Sequence, residues 1–150
     1  MDRTIRGLIA GIIAVIPKYI WNITDYYWLH FTKLRFIDWT GMLMMGHIPD
    51  SPLDFILATL YLFLWDGLMG IIFAHLLRQT TSRGYLIKSL MFSYGIAFVF
   101  RTLVLFYRIT PLLSDQSTAG MISNQLGGLL WGLCMGLALK WLDRANFSHE

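Results

Sequence analysis

Four stretches of this chain, about Ile5–Tyr26, Leu53–Leu77, Tyr85–Tyr107 and Ala119–Leu142, are each apolar for the roughly 20 residues that a helix needs to cross a bilayer's hydrocarbon core. Nothing else in the sequence restricts the fold so much. Lipid offers no partner to backbone N–H and C=O groups, so a spanning segment is either a helix or a strand of a closed barrel. Barrel strands read as repeated segments of about ten residues alternating in polarity, and the sequence contains no such series. The expected fold is all-α: a polytopic membrane protein with four transmembrane helices and an interfacial segment between helices 1 and 2. Residues 1–150 read as a single domain, with no internal repeat.

Composition fits this reading. The chain is 56% hydrophobic and 14% charged, whereas a soluble domain carries about 25% charged residues. Its charges gather between the apolar stretches. The net charge of +3 does not point to nucleic acid, because no basic run with interleaved aromatics occurs and cytoplasmic Lys and Arg produce the same sum. The single cysteine, Cys134, lies inside an apolar run and reads as a small packing residue. Arg3 and Arg6 before LIAGIIAVI resemble a signal peptide, but Pro17-Lys18-Tyr19-Ile20-Trp21 follows instead of a cleavage site. A retained first span, kinked at Pro17, is expected.

Basic residues set the orientation. Arg3 and Arg6, then Arg78, Arg83 and Lys88, then Lys140 and Arg144 fall on one side, which makes that side cytoplasmic and both termini internal. The other side carries Lys33, Arg35 and Arg108 together with Asp25, Asp38, Asp50, Asp54 and Asp115. The connection from Tyr27 to Pro52 mixes Trp, Phe, Met and Leu with Lys33, Arg35 and Asp38, a composition suited to the headgroup layer. It is expected to extend helix 1 outward or to form a short interfacial helix. HIPDSP at residues 47–52 then turns the chain into span two, with Asp50 and Ser51 supplying the cap.

Small residues mark the packing faces, because helices in lipid associate where backbones approach closely. In span four, Gly120, Asn124, Gly128, Gly132, Gly136 and Lys140 recur every four residues. In span one, Gly7, Gly11, Ala14, Lys18, Asn22 and Asp25 share a face. The two seams are expected to meet, tight at the inner end and open at the outer. Self-association through the glycines of span four is the other use of such a face.

Polar groups concentrate in the outer half. Asp66, in LFLWDGLMG, falls almost at the middle of its span, and Lys18 and Arg101 lie within about 5–8 Å of the midplane at 1.5 Å per residue. Asn22, Asn124 and Gln125 lie further out. A carboxylate at this depth must be paired or protonated. Arg101 is the expected partner, because a guanidinium offers bidentate geometry, with Lys18 nearby. Two bases against one acid leave positive charge for a small anion or a lipid headgroup, while snorkelling of Lys18 and Arg101 is the plainer alternative.

Reactive chemistry is not evident. The sequence has no nucleophile elbow, phosphate loop, zinc-protease helix or paired catalytic carboxylate. No catalytic residue is assigned, and an enzyme is the less favoured class. No cofactor is expected: only His75 among the histidines lies inside a span, too few for bis-histidine haem. No metal ligand is assigned either, although His47, Asp50 and Asp54, with His30 and Asp38 nearby in sequence, sit in the outer turn. Solvated loop charges have the same appearance.

GLIAG at residues 7–11, YYWLHFTKLRFIDWTGMLMMGH at residues 26–47, GIIFAHLL at residues 70–77, and GGLLWGL with KWLD near the end resemble a family of small four-span bacterial inner-membrane proteins. The resemblance implies a bacterial cytoplasmic membrane and no activity. The function expected is binding or passage of a small polar or anionic species at Lys18, Asn22, Asp66, Arg101, Asn124 and Gln125. The alternative is an accessory subunit or homo-oligomer packed through Gly128, Gly132 and Gly136, with Gly7 and Gly11 as the matching helix contact. Expected partners are the bilayer, a headgroup or small anion, and another membrane protein or a second copy, but not nucleic acid.

Overall fold

The computed structural model describes residues 2–79, 84–109, 112 and 117–147, with backbone alone for 78–79 and 144–147. Arg83 and Asp115, used above for orientation, lie outside the described residues.

Helix α1 (Arg3–Thr24) starts at Asp2, whose carboxylate accepts from the Thr4 N–H at 3.2 Å. That hydrogen bond holds the exposed Asp2 carboxyl below its ordinary range. The helix runs through Pro17 and opens into a π-helical turn over Asp25–Leu29, closed by His30 in the left-handed conformation. Helix 1 thus continues to Leu29, and a separate short helix follows in the connection to span two. Helix α2 (Phe36–Met45) is capped by Asp38, which accepts from Arg35 N at 2.8 Å, Nε at 3.0 Å and Nη2 at 2.7 Å. The Asp38 hydrogen bonds push the Arg35 guanidinium above its usual range. α2 ends at Gly46, whose φ of 82° favours glycine.

Helix α3 (Pro52–Gln79) begins with a reciprocal cap, in which Ser51 N donates to Asp54 Oδ2 at 3.3 Å and Asp54 N donates to Ser51 Oγ at 3.2 Å. Ser51, rather than Asp50, is the cap. Helices α4 (Tyr85–Phe106) and α5 (Thr118–Phe147) complete the chain. Four segments, Arg3–Leu29, Pro52–Leu77, Tyr85–Phe106 and Thr118–Asp143, are long and apolar enough to cross a membrane, within a few residues of the expected spans. No strand occurs among the described residues.

α1 is packed between α3 and α5, α4 lies on α5, and α2 lies on α3. Small residues decide these neighbours. A Cβ on Gly7 would meet the Gly70 carbonyl at 2.7 Å and the Ile71 Cα at 2.8 Å, and one on Gly11 would strike the Asp66 carbonyl. A Cβ on Gly132 would meet Ser93 Cβ at 2.6 Å and the Ser89 carbonyl at 2.8 Å, and one on Gly136 would strike Ser89 Oγ. The expected meeting of the two glycine seams is therefore corrected. Gly7 and Gly11 interlock with Gly67 and Gly70 of α3, while the α5 glycines receive the serines of α4. Each small face finds the partner helix that is small at the same height.

Between α1, α3 and α5 lies the main core, with Ala10, Ala14, Met69, Phe73, Trp131, Met135 and Leu139 buried together. At the end holding the start of α1 and the end of α5, Asp143 accepts hydrogen bonds from Arg6 and from the Tyr85 hydroxyl, tying α1, α4 and α5. The opposite end, where α2 sits, is called the α2 end below.

Candidate functional site

Lys18 and Asp66 form a bidentate ion pair, with Nζ 3.0 Å from Oδ1 and 2.7 Å from Oδ2. Asp66 is buried and the Lys18 side chain is only 14% exposed, so the pair is removed from its surroundings. Side chains on a helix lean toward its N-terminus. Lys18 therefore extends back along α1 toward the middle of α3 instead of snorkelling toward the α2 end.

The expected Asp66–Arg101 contact is corrected here. Arg101 is half-buried on α4, which packs on α5 and touches α3 only slightly, so α1 and not α4 supplies the cation for Asp66. Guanidinium chemistry favoured Arg101, but helix order favoured Lys18.

Aromatic rings complete the surroundings of the ammonium. Lys18 Nζ lies 5.1 Å from the centre of the Phe36 ring and 5.9 Å from that of Trp131. Such placement adds cation–π attraction. Trp131 is fixed by its indole N–H, which donates to the Gly11 carbonyl at 3.4 Å. Phe36 is fixed from behind, because its backbone N–H donates to Asn22 Oδ1 at 2.6 Å. Its ring edge packs where α5 has Gly127, 3.0 Å from the place a Cβ would take. The first residue of α2 thus sets its ring over the Lys18 ammonium, and Asn22, expected as a ligand, holds its backbone in place.

A second polar layer lies nearer the α2 end. Asp25 is fully buried and accepts from Phe31 N at 3.0 Å and from the Ser123 hydroxyl. The Trp21 indole N–H donates to the Ser123 carbonyl at 3.0 Å and hydroxyl at 3.1 Å. Asn124 and Gln125 are half-buried, and Asn124 Oδ1 and Gln125 Nε2 are buried atoms with no hydrogen-bond partner among the described residues. Neither amide is hydrogen-bonded to the ion pair. Gly128, Gly132 and Gly136 are filled by α4 of the same chain, and Ser93 donates to the Gly128 carbonyl.

Sequence reasoning missed Phe36, Trp131 and Ser123. Ser123, Gly127 and Trp131 follow one another every four residues on α5, which was the available signal. Of the histidines, His75 Nε2 meets Thr4 Oγ1 at 3.2 Å and His30 Nδ1 meets the Tyr26 carbonyl at 3.0 Å, both away from the ion pair. Comparison with family models, curated proteins and solved structures finds no match to this chain.

Proposed function

We propose that this chain is a multi-pass protein of a bacterial cytoplasmic membrane, with both termini cytoplasmic, that binds or passes a small polar or anionic species from the α2 end. The bacterial inner membrane rests on the sequence resemblance, and the orientation rests on the distribution of Lys and Arg. The observation that carries the reading is the buried Lys18–Asp66 pair beneath the Phe36 ring. Ionisable groups at membrane depth are costly, pair with one another inside the bundle, and mark solute or proton pathways. Toward the α2 end, the buried Asn124 Oδ1 and Gln125 Nε2 have no hydrogen-bond partner among the described residues and offer polar contacts to a ligand, while the Phe36 ring acts as a stopper over the ammonium. Displacing that ring exposes an ammonium that donates two hydrogen bonds to Asp66, leaving a third N–H to offer to an acceptor.

The test is solute-driven swelling of proteoliposomes in chloride, phosphate, acetate and glycerol, alongside empty vesicles. Phe36→Ala is expected to raise the flux of at least one solute, and Lys18→Met with Asp66→Asn to abolish it while retaining the fold. If neither the natural chain nor Phe36→Ala exceeds empty vesicles for any solute, and none shifts the melting temperature, the reading fails. An accessory subunit is the competing role. Because α4 covers the α5 glycines, such a partner would dock on the outward face of α4, where Ile87, Met91 and Phe98 are exposed.

A further inference from the structure

The turn from α2 into α3 brings together three side chains that the ion-pair site does not use. One ligand atom each from His47, Asp50 and Asp54 lies within 4.8 Å of the other two. We propose that these residues bind one divalent transition-metal ion of the zinc type at the α2 end of the protein, independently of any solute at Lys18–Asp66. One imidazole nitrogen and two carboxylate oxygens form the mixed set that such ions take, with the remaining positions left to water. Magnesium and calcium prefer oxygen alone, so the imidazole sets the class.

The geometry is close to what an ion needs. Ligand atoms about 2.0–2.2 Å from a tetrahedral ion lie roughly 3.4 Å from one another, so the three groups close inward by on the order of 1 Å. His47 and Asp50 are exposed and free to make that adjustment by rotation about their side-chain bonds. The backbone beneath them is fixed. Pro49 is buried against Gly41, where a Cβ would come within 2.5 Å of the proline ring.

Two of the ligands also have a hydrogen-bond partner within the turn. His47 Nδ1 lies 3.1 Å from the Ile48 carbonyl. A neutral ring donating from Nδ1 keeps its lone pair on Nε2, which is the usual second contact of a metal-bound histidine. Asp54 Oδ2 is held by the Ser51 N–H at 3.3 Å. An ion there would also neutralise two carboxylates brought close together, and it would fasten the end of α2 to the first turn of α3.

The test uses chelator-stripped protein without a polyhistidine tag, in detergent, titrated calorimetrically with Zn²⁺ and followed by the visible spectrum of Co²⁺. One ion per chain is expected. His47→Ala and Asp50→Asn should each weaken binding at least tenfold, and His30→Ala should leave it unchanged. Asp54→Asn is a poorer probe because that side chain also caps α3. Thermal melts of the two decisive variants without metal should match the natural chain, separating lost ligation from lost fold. The proposal is overturned if no saturable binding occurs below about 1 mM, the range of the weakest biological sites. It is likewise overturned if His47→Ala binds as the natural chain does, or if equimolar Ca²⁺ displaces the ion.

Discussion

Gly11 of α1 lies directly against the main-chain carbonyl of Asp66, the residue whose side chain pairs with Lys18 two turns further along the same helix. The backbone contact and the ion pair thus hold one helix pair at two heights. Removing side-chain bulk at Gly11 is what brings Asp66 within reach of Lys18.

Gly11→Ala should therefore cost about 1–3 kcal/mol, the usual penalty for overpacking, and loosen the ion pair as well. Gly95→Ala is the control, since nothing lies within 4 Å of a Cβ there. With better helix propensity worth up to about 1 kcal/mol, it should melt at the natural temperature or above. Thermal unfolding in one detergent compares both, and equal losses at the two glycines would contradict the packing described.

Breaking the ion pair on one side leaves a buried charge. Asp66→Asn should destabilise by about 3–5 kcal/mol, and adding Lys18→Met should restore much of that loss. Adding Arg101→Gln to Asp66→Asn should restore nothing. Rescue by Arg101→Gln and not by Lys18→Met would reassign the partner.

Replacing Gly132 by Leu places a large side chain where Ser93 Cβ and the Ser89 carbonyl now sit. α4 should separate from α5, with a lower melting temperature or a changed particle size. A variant indistinguishable from the natural chain would mean that α4 packs elsewhere.

Asn22→Ala removes the acceptor of the Phe36 N–H, an orphan donor at the start of α2. A loss of about 1–3 kcal/mol is expected. Hydrogen exchange should quicken at Phe36 and the next turn more than in α3. Unchanged exchange there would show that the stopper does not depend on Asn22.

Orientation is checked by single cysteines in a Cys134→Ala background. One at the exposed Lys33 should react with a membrane-impermeant thiol reagent in intact cells, and one at Ser148, outside the described residues, only after lysis. The reverse pattern would invert the topology.

The spans were legible because twenty apolar residues in a row sum to a signal that no local preference overrides. The neighbours were not. Periodicity assigns Gly7, Gly11, Gly128 and Gly132 to faces but is silent on which face meets which, and here the α5 glycines chose Ser89 and Ser93. Depth narrowed the partner of Asp66 to two cations, and the order of helices around α1 then decided between them. Phe36 stayed hidden because its role comes from a single backbone hydrogen bond to Asn22, fourteen residues away, and a phenylalanine in an aromatic connection carries no mark of it.

The central place of α1 has a consequence for biosynthesis. Lys18 leaves the ribosome 48 residues ahead of Asp66, and Gly11 precedes Trp131 by 120 residues. Both walls of the slot that holds α1 thus come later in the chain than α1 itself. In a membrane, Lys18 would be without its Asp66 partner until α3 is made. A chain ending after α3 would hold α1 on one side only, since its other neighbour is α5.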